Sequence, residues 1–243
     1  MTSEYFFLPR ADINGTRAVL SGPEHHHLHR VLRARTGDRV WLFDEDGTRY
    51  RAEIAGNGDE TTELAILEVC APRERPTKIV LAAALLKAGA MDDVIQRATE
   101  LGAARISPVE TERSVARAGE RPERKIERWT KIALAAAKQS RAARPPIIDA
   151  PVPLREWIST CRAARRFFLD EDGGTSLKKL RMADGPPPAE AAVLVGPEGG
   201  WAPAERKMVI EAGFDPVSLG QTILRAETAV LAVLTILAHE WNW

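Results

Sequence analysis

The 243-residue chain has only two cysteines, no net charge and no long apolar run. Cys70 and Cys161 lie far apart without Cys-x-x-Cys spacing, which argues against a zinc site and a disulfide framework. Its 34 basic residues are balanced by 34 acidic ones, so any nucleic-acid binding must come from local patches. The start of the chain lacks a signal-peptide pattern, and the apolar stretch from Ala226 to Ala238 is too short to span a bilayer. We therefore expect a soluble cytoplasmic protein with no membrane partner.

Two common nucleotide-binding motifs are absent as well. The chain has neither G-x-G-x-x-G opening a helix nor G-x-x-x-x-G-K-[ST], which argues against a Rossmann site and a P-loop. It has instead two glycine-bearing loops, in the segments VLVGPEGGW (193–201) and LGQTILRAETA (219–229). Each follows a short apolar run, and open α/β sheets bind ligands outside the carboxyl ends of their strands. The sequence thus predicts one pocket built from both loops, although a plain strand–turn–helix would also need these glycines.

Two charged residues in these loops narrow the ligand class. Glu198 would repel a phosphate, so it suits a neutral or cationic ligand. Arg225 stands among Ile223, Leu224 and Ala226, where a charge needs a partner or a ligand. We consider Glu198 the candidate ion-pair partner of Arg225.

The first part of the chain, residues 1 to about 70, is typical of a small β-barrel. Short apolar segments separated by turn residues predict strands at Tyr5–Leu8, Arg17–Leu20, Arg39–Phe43, Thr48–Ile54 and Thr62–Val69. A helix is predicted from Pro23 to Arg33, and Asp46-Gly47 indicates a hairpin turn. The charged, proline-bearing segment 71–77 is the predicted domain boundary.

After this boundary, strands and helices alternate, which predicts a mostly parallel sheet covered on both faces. The predicted strands are Lys78–Leu85, Arg105–Val109, Arg166–Leu169, Ala192–Val195 and Val217–Leu219. The predicted helices are Met91–Leu101, Glu123–Arg141, Pro203–Ala212 and Glu227–Glu240. The last helix is apolar on more than one face, which favours a homodimer contact extended by Trp241 and Trp243. Burial of both faces within one monomer is the alternative.

Basic residues cluster between Arg105 and Arg144, where eleven of them face five acidic ones. Ion pairs such as Glu127 with Lys131 explain the middle of the long helix. They do not explain the loop arginines or the helix end, so RNA contact is predicted for Arg113, Arg117, Arg121, Arg141 and Arg144.

The histidine run at residues 25–29 places His25 and His29 one helical turn apart, which raises the question of a metal site. No third ligand stands nearby at suitable spacing. A packed or RNA-facing helix end is therefore favoured, and we expect no metal.

In its two glycine-bearing loops, the chain resembles the SPOUT methyltransferases, which have a trefoil-knotted C-terminal region. More closely, it is similar to the RsmE group, which methylates N3 of a uridine in 16S ribosomal RNA of the small subunit. Supporting segments run in order along the chain: Tyr5–Leu8, His26–Arg33, Gly37–Val40, Leu85–Lys87, Met91, Ile95–Gly102, Glu112–Val115, Arg128–Trp129 and Ala135–Ser140. Two departures are Gly89-Ala90, in place of a more polar pair, and Thr222, where the family usually carries an arginine.

The resemblance implies a fold, a cofactor and partners. The fold is a PUA-like β-barrel that binds RNA (residues 1–71) and a SPOUT α/β methyltransferase domain with a C-terminal trefoil knot (residues 77–243). The cofactor is S-adenosyl-L-methionine, and the partners are 16S ribosomal RNA and a second copy of the chain. Arg225 is the candidate catalytic residue, as a stabiliser of the uracil anion, and no general base is identified.

The implied binding residues form two sets. Those for the cofactor are Leu194, Gly196, Pro197, Glu198, Gly199, Gly200, Leu219, Gly220, Ile223, Leu224 and Thr228. Those for RNA are Arg30, Arg33, Arg113, Arg117, Arg141 and Arg144. The alternatives are a non-catalytic RNA-binding ribosome assembly factor, and a SPOUT methyltransferase acting on another nucleotide position, such as a 2′-hydroxyl.

Overall fold

The computed structural model divides the chain into two compact units. One comprises Met1–Glu74 with Ala137–Pro145, and the other comprises Arg75–Ala136 with Pro146–Trp243. The structure describes residues 5–73, 75–117, 119, 122–142, 144–176 and 186–241. In these ranges, no helix is long and apolar enough to cross a membrane.

The first unit is a six-stranded sheet with short helical segments. Its strands are β1 (Tyr5–Phe7), β2 (Ile13–Asn14), β3 (Arg17–Ser21), β4 (Arg39–Phe43), β5 (Arg49–Asn57) and β6 (Thr61–Cys70). They lie in the order β1-β4-β5-β6-β3-β2, and every pair is antiparallel except β1 with β4. Alternate residues of these strands face one apolar core, which includes Phe6, Leu20, Leu42, Ile54 and Leu64.

The helical stretch predicted from Pro23 to Arg33 is confirmed, and the structure places it at Gly22–Val31. Helix α1 covers only Gly22–His26 and continues as a π-helical turn at His27–Val31. Arg33 adopts a left-handed backbone, with φ of 54°, and so ends the helical segment.

Asp44 holds the hairpin turn between β4 and β5. Its buried carboxylate accepts the backbone N–H groups of Asp46 and Thr48 at 3.0 and 2.9 Å, and the Tyr50 hydroxyl at 2.8 Å. Burial of the phenol, together with the neighbouring Asp44 carboxylate, raises the pKa of Tyr50 to about 12. The turn signal at Asp46-Gly47 is confirmed, with φ of 84° at Gly47.

The second unit is an all-parallel sheet with helices. Its strands are β7 (Lys78–Ala84), β8 (Arg105–Glu110), β9 (Ile147–Ile148), β10 (Val152–Pro153), β11 (Arg165–Leu169), β12 (Thr175–Ser176), β13 (Glu190–Val195) and β14 (Asp215–Ser218). Its helices are α2 (Ala88–Glu100), α3 (Pro122–Ser140, whose last four residues belong to the first unit), α4 (Leu154–Thr160), α5 (Pro203–Glu211) and α6 (Ala226–Glu240). The strand order is β10-β8-β7-β13-β11-β14-β12, with β9 paired to β8. The predicted parallel sheet is confirmed.

The sheet order determines where a ligand can bind. Strands β13, β11 and β14 are direct parallel neighbours, so their carboxyl ends lie at the same edge. Their apolar side chains are buried on both faces, as expected for a covered parallel sheet. The segments that leave this edge carry the glycines singled out in the sequence.

Helix α6 buries more of its surface within its own unit than the sequence suggests. Val230, Val233, Leu234 and Leu237 are fully buried, whereas Leu231 is 37% exposed. The prediction that Trp241 extends an exposed patch is wrong. Its side chain is 5% exposed, and its ring lies 6.4 Å from that of Phe167. Trp243 lies outside the described residues.

Candidate functional site

A cavity of about 260 Å³ lies at the carboxyl ends of β11, β13 and β14. Three segments form its walls: the β11 loop (residues 170–174), the first cavity loop (residues 196–202) and the second cavity loop (residues 219–225). The last two are the loops from which the sequence predicts a pocket, and the structure brings them together. Apolar side chains of Leu169, Val195 and Val217 line the inner part.

Trp201 anchors the first cavity loop. Its side chain is 7% exposed, and its indole N–H donates to the carbonyl oxygen of Leu169 at 2.8 Å. Its ring lies against Gly196 so closely that a Cβ there would come within 2.9 Å of the indole. Gly196 is therefore required for close packing, and Trp201 ties the first cavity loop to the end of β11.

An ion pair between a buried carboxylate and a partly exposed arginine holds the start of the β11 loop. Asp170 is 3% exposed and accepts two hydrogen bonds from the Arg206 guanidinium, at 2.9 and 2.8 Å. This carboxylate raises the pKa of Arg206 above its usual value. Arg206 is on α5, the helix that follows the first cavity loop. Helix α5 therefore supports both the β11 loop and the first cavity loop.

The second cavity loop is more exposed. Ile223 is 79% exposed, and Gln221, Thr222 and Arg225 are exposed as well. The ion pair proposed between Arg225 and Glu198 is wrong. Both side chains are exposed, and no ion pair among the described residues joins them. The surroundings of Arg225 are open to solvent, so its charge needs no protein partner.

Most of the predicted cofactor residues line the cavity together with the predicted catalytic Arg225. They are Gly196, Pro197, Glu198, Gly200, Leu219, Gly220, Ile223 and Leu224. Three are not among the lining residues. Leu194 is fully buried in the core of β13, Gly199 faces Arg113, and Thr228 is exposed on α6.

Sequence reasoning missed the β11 loop. Leu169, Asp170 and Glu171 line the cavity, as do Trp201, Ser218, Gln221 and Thr222. A usable signal was present, because the predicted strand Arg166–Leu169 runs directly into Asp170-Glu-Asp-Gly-Gly174. That is another apolar strand ending in a polar, glycine-bearing loop.

The predicted RNA-binding arginines fall into two groups. Arg30 and Arg33 are exposed in the first unit, to which the segment with Arg141 and Arg144 also belongs. The Arg141 guanidinium lies 5.7 Å from the centre of the Tyr5 ring.

Arg113 and Arg117 form the second group, on the loop between β8 and α3. Both hydrogen-bond to backbone carbonyls. Arg121 lies outside the described residues.

The histidine run plays a packing role at His25. The side chain is 5% exposed, and its two ring nitrogens lie 2.9 Å from the Thr62 hydroxyl and 3.2 Å from the Asp59 carbonyl oxygen. Its ring stacks on that of His29 at 5.4 Å. In the part of the chain that the structure describes, no three His, Cys, Asp or Glu side chains are grouped to hold a metal.

Comparison with known proteins agrees with this architecture. A family model for an RNA methyltransferase domain matches residues 73–238, and one for an RNA methyltransferase PUA domain matches residues 20–66. Ribosomal RNA small subunit methyltransferase E of Synechocystis sp. is 33% identical, covering 89% of this chain and 71% of that protein.

Two solved structures share the fold over almost the whole chain. One is a putative methyltransferase from Legionella pneumophila in complex with the cofactor SAM, with a TM-score of 0.88 and 29% identity. The other is ribosomal RNA small subunit methyltransferase E from Neisseria gonorrhoeae bound to S-adenosyl methionine, with a TM-score of 0.87 and 29% identity. Each alignment covers 98% of both chains.

These matches confirm the resemblance inferred from the sequence, and with it the N-terminal PUA domain and the α/β methyltransferase domain. The family model alone spans more than half of the chain. The chain therefore belongs to the RNA methyltransferase family, in the group named ribosomal RNA small subunit methyltransferase E.

Proposed function

We propose that this protein is an S-adenosylmethionine-dependent methyltransferase that methylates N3 of a uridine in 16S ribosomal RNA of the small subunit. The observation that carries the proposal is the cavity at the edge of the parallel sheet, built by the two loops that resemble the family motifs. Family membership and the cofactor-bound related structures support it. A non-catalytic RNA-binding factor would have no need of this cavity.

The residues that line the cavity suit the proposed cofactor. Gly196, Gly200 and Gly220 leave backbone groups accessible for hydrogen bonds to an adenine, and apolar side chains line the inner wall. Glu171 and Glu198 place two exposed carboxylates at the cavity, which suits a ligand with a sulfonium and an ammonium group. When bound, the cofactor supplies an electrophilic methyl group.

Arg225 is the proposed catalytic residue. Uracil N3 is a weak acid, so its reaction requires stabilisation of the developing anion. Arg225 lines the cavity, is exposed, and has no recorded ion-pair partner among the described residues, so its guanidinium is available to a substrate. Holding the base beside the cofactor supplies much of the remaining rate enhancement.

The proposed RNA-binding surface lies mainly in the first unit. Residues 1–71 would bind RNA and residues 77–243 would carry out methyl transfer. Arg30, Arg33, Arg141 and Arg144 all belong to the first unit, and the first two are exposed. Arginine suits phosphate because its planar guanidinium donates several hydrogen bonds at once.

The trefoil knot and the homodimer stay proposals that rest on the family resemblance. Ile223 and Leu231 are the exposed apolar residues before and on α6 that a second copy could cover. Light scattering at micromolar concentration tests the dimer, since a mass near 27 kDa would contradict it. Because the proposed substrate is ribosomal RNA, we also propose a cytoplasmic location.

Nucleoside mass spectrometry tests the proposed function directly. Small-subunit RNA from a deletion strain should lack 3-methyluridine at one position, and the purified protein with S-adenosylmethionine should restore it. Restoration by the parent but not by Arg225→Ala would support the assignment. A different missing nucleoside, such as a 2′-O-methylated one, would overturn the N3 assignment.

A further inference from the structure

The loop between β8 and α3 reaches the first cavity loop, and one of its arginines makes the contact. We propose that Arg113 is a positioning residue that holds the first cavity loop in its cofactor-binding shape, rather than an RNA contact. The proposal rests on the proposed function only in taking S-adenosylmethionine as the ligand of the cavity. It replaces the RNA-binding role that the sequence suggested for Arg113.

Arg113 contacts the first cavity loop at Gly199. Its Nη1 donates to the carbonyl oxygen of Gly199 at 3.0 Å. A Cβ added at Gly199 would lie 3.4 Å from the Arg113 Cβ, so the two loops pass close to each other at this point. Gly199 itself does not line the cavity, but its neighbours Glu198 and Gly200 do. A rotation of the Gly199 peptide would therefore move the cavity wall.

A second bond joins the loop between β8 and α3 to the start of α5, directly after the first cavity loop. The Glu205 carboxylate, in the first turn of α5, accepts the backbone N–H of Glu112 at 2.8 Å. Its other oxygen accepts the N–H of Ala202 at 3.4 Å. The helix dipole favours a carboxylate in this position. Arg113 thus fixes the middle of the first cavity loop, and Glu205 fixes its C-terminal end.

The supporting loop is itself braced. The Thr111 and Ser114 hydroxyls are 2.8 Å apart, and both residues are buried. Arg117 donates to the carbonyl oxygens of Thr111 at 2.7 Å and Glu112 at 3.3 Å, so these hydrogen bonds stay within the loop. Arg113 and Arg117 therefore carry the same charge on the same loop, but only Arg113 bonds to the cavity wall.

The two roles for Arg113 predict different effects on cofactor affinity and on the salt dependence of RNA binding. An arginine that neutralises a phosphate makes the salt dependence of RNA binding steeper, because it releases a counterion. An arginine that holds a cofactor loop changes the affinity for the cofactor and leaves the salt dependence unchanged. Calorimetry with S-adenosylmethionine and RNA binding at several salt concentrations separate them.

For Arg113→Ala, we expect the dissociation constant for S-adenosylmethionine to rise about tenfold, the effect of losing one well-placed hydrogen bond. Glu205→Ala should weaken cofactor binding in the same direction. Arg117→Ala is the matched comparison: it removes the same charge from the same loop but keeps the bond to Gly199, so its loss of cofactor affinity should be clearly smaller than that of Arg113→Ala. In steady state, Arg113→Ala should raise KM for the cofactor and leave KM for RNA unchanged. Circular dichroism and thermal melting without cofactor verify that each variant is folded.

Unchanged cofactor affinity in Arg113→Ala, with a salt slope about one unit shallower, would overturn the proposal in favour of an RNA contact. An equal loss in Arg117→Ala would also overturn it, since the cause would then be general loosening of the supporting loop. If the parent protein binds the cofactor but methylates no uridine, the proposed function is contradicted. The positioning role of Arg113 can then still be tested through the affinity for the cofactor. A parent that does not bind S-adenosylmethionine would contradict both.

Discussion

The first and second cavity loops border the same cavity but are held in opposite ways. The first is tied to two other segments, through Trp201 to Leu169 at the end of β11 and through Gly199 to Arg113 on the loop between β8 and α3. Glu205, in the first turn of the helix that follows it, also bonds to Glu112 on the loop between β8 and α3. At the second cavity loop, the side chain of Ser218 forms hydrogen bonds with the backbone of Gly220, only two residues away. One loop is a fixed wall, and the other presents exposed side chains, among them Ile223 and Arg225.

Because of this difference, we expect substitutions in the two loops to have different effects on stability and on function. A change in the first cavity loop should affect folding and cofactor binding together, because the same contacts serve both. A change in the second should affect binding or catalysis with little effect on folding, since exposed side chains contribute little to stability. Measuring the free energy of unfolding alongside cofactor affinity and kcat tests the distinction at each position.

The largest effect is expected for Trp201→Ala, which removes a buried indole and its hydrogen bond to Leu169. We expect the free energy of unfolding to fall by about 3–5 kcal/mol, with loss of S-adenosylmethionine binding. Denaturant unfolding without cofactor and calorimetry provide the two measurements. Trp201→Phe keeps an aromatic ring and should lose less. Cofactor binding that survives in Trp201→Ala would show that the wall does not need this anchor.

Arg225→Ala should have the next largest effect, on catalysis alone. We expect kcat to fall about 100-fold, as when one charge-stabilising donor is removed from an active site. The free energy of unfolding should change by no more than about 0.5 kcal/mol, because Arg225 is exposed. Single-turnover methyl transfer at saturating cofactor and RNA measures the first quantity. A normal rate would exclude Arg225 from the chemistry.

Two neighbouring glycines give a sharper comparison within the first cavity loop. Gly200 has φ of 67°, and a Cβ there would overlap the Glu171 carboxylate, so Gly200→Ala should cost about 1–2 kcal/mol of stability. Gly199→Ala should be nearly neutral, because the nearest atom to a Cβ there is the Arg113 Cβ at 3.4 Å, and the Arg113 carbonyl oxygen and Cδ lie at 3.7 and 3.8 Å. Thermal melting and calorimetry of both variants test this ranking. The reverse order would mean that the loop has another conformation in solution.

The smallest effect is expected for Ile223→Ser. Its side chain is 79% exposed, so the free energy of unfolding should change by less than about 0.5 kcal/mol. Denaturant unfolding measures it, with the buried Val230→Ser as the contrasting variant, which should be strongly destabilised. A loss above about 1 kcal/mol for Ile223→Ser would indicate that Ile223 is covered in solution, as at a contact between two copies.

Periodicity and turn residues predicted the longer elements well. The strand expected at Arg39–Phe43 has those bounds, and the helix expected at Glu123–Arg141 forms at Pro122–Ser140. Two-residue strands such as Ile147–Ile148 were missed because so short a segment has no measurable period. Helix α4 was also missed, because its seven residues follow a proline and span too few turns to show a pattern.

The candidate site was predictable only where its residues are contiguous in the sequence. The two glycine-bearing loops are recognisable from their composition, and the structure brings them together. The bond from Arg113 to Gly199 depends on tertiary packing, so local charge suggested RNA binding instead. The ion pair of Asp170 with Arg206 was missed for the same reason, since neither residue indicates its partner along the chain.

The position of β13 in the sheet has a consequence for how the chain folds. Strand β7 pairs directly with β13, which is made far later in synthesis, and the first unit also includes the later segment Ala137–Pro145. Closing such long loops costs chain entropy before the contacts that compensate for it can form, and this slows folding. We therefore expect neither unit to complete its fold as it leaves the ribosome. The α/β sheet should assemble only after nearly the whole polypeptide has been released.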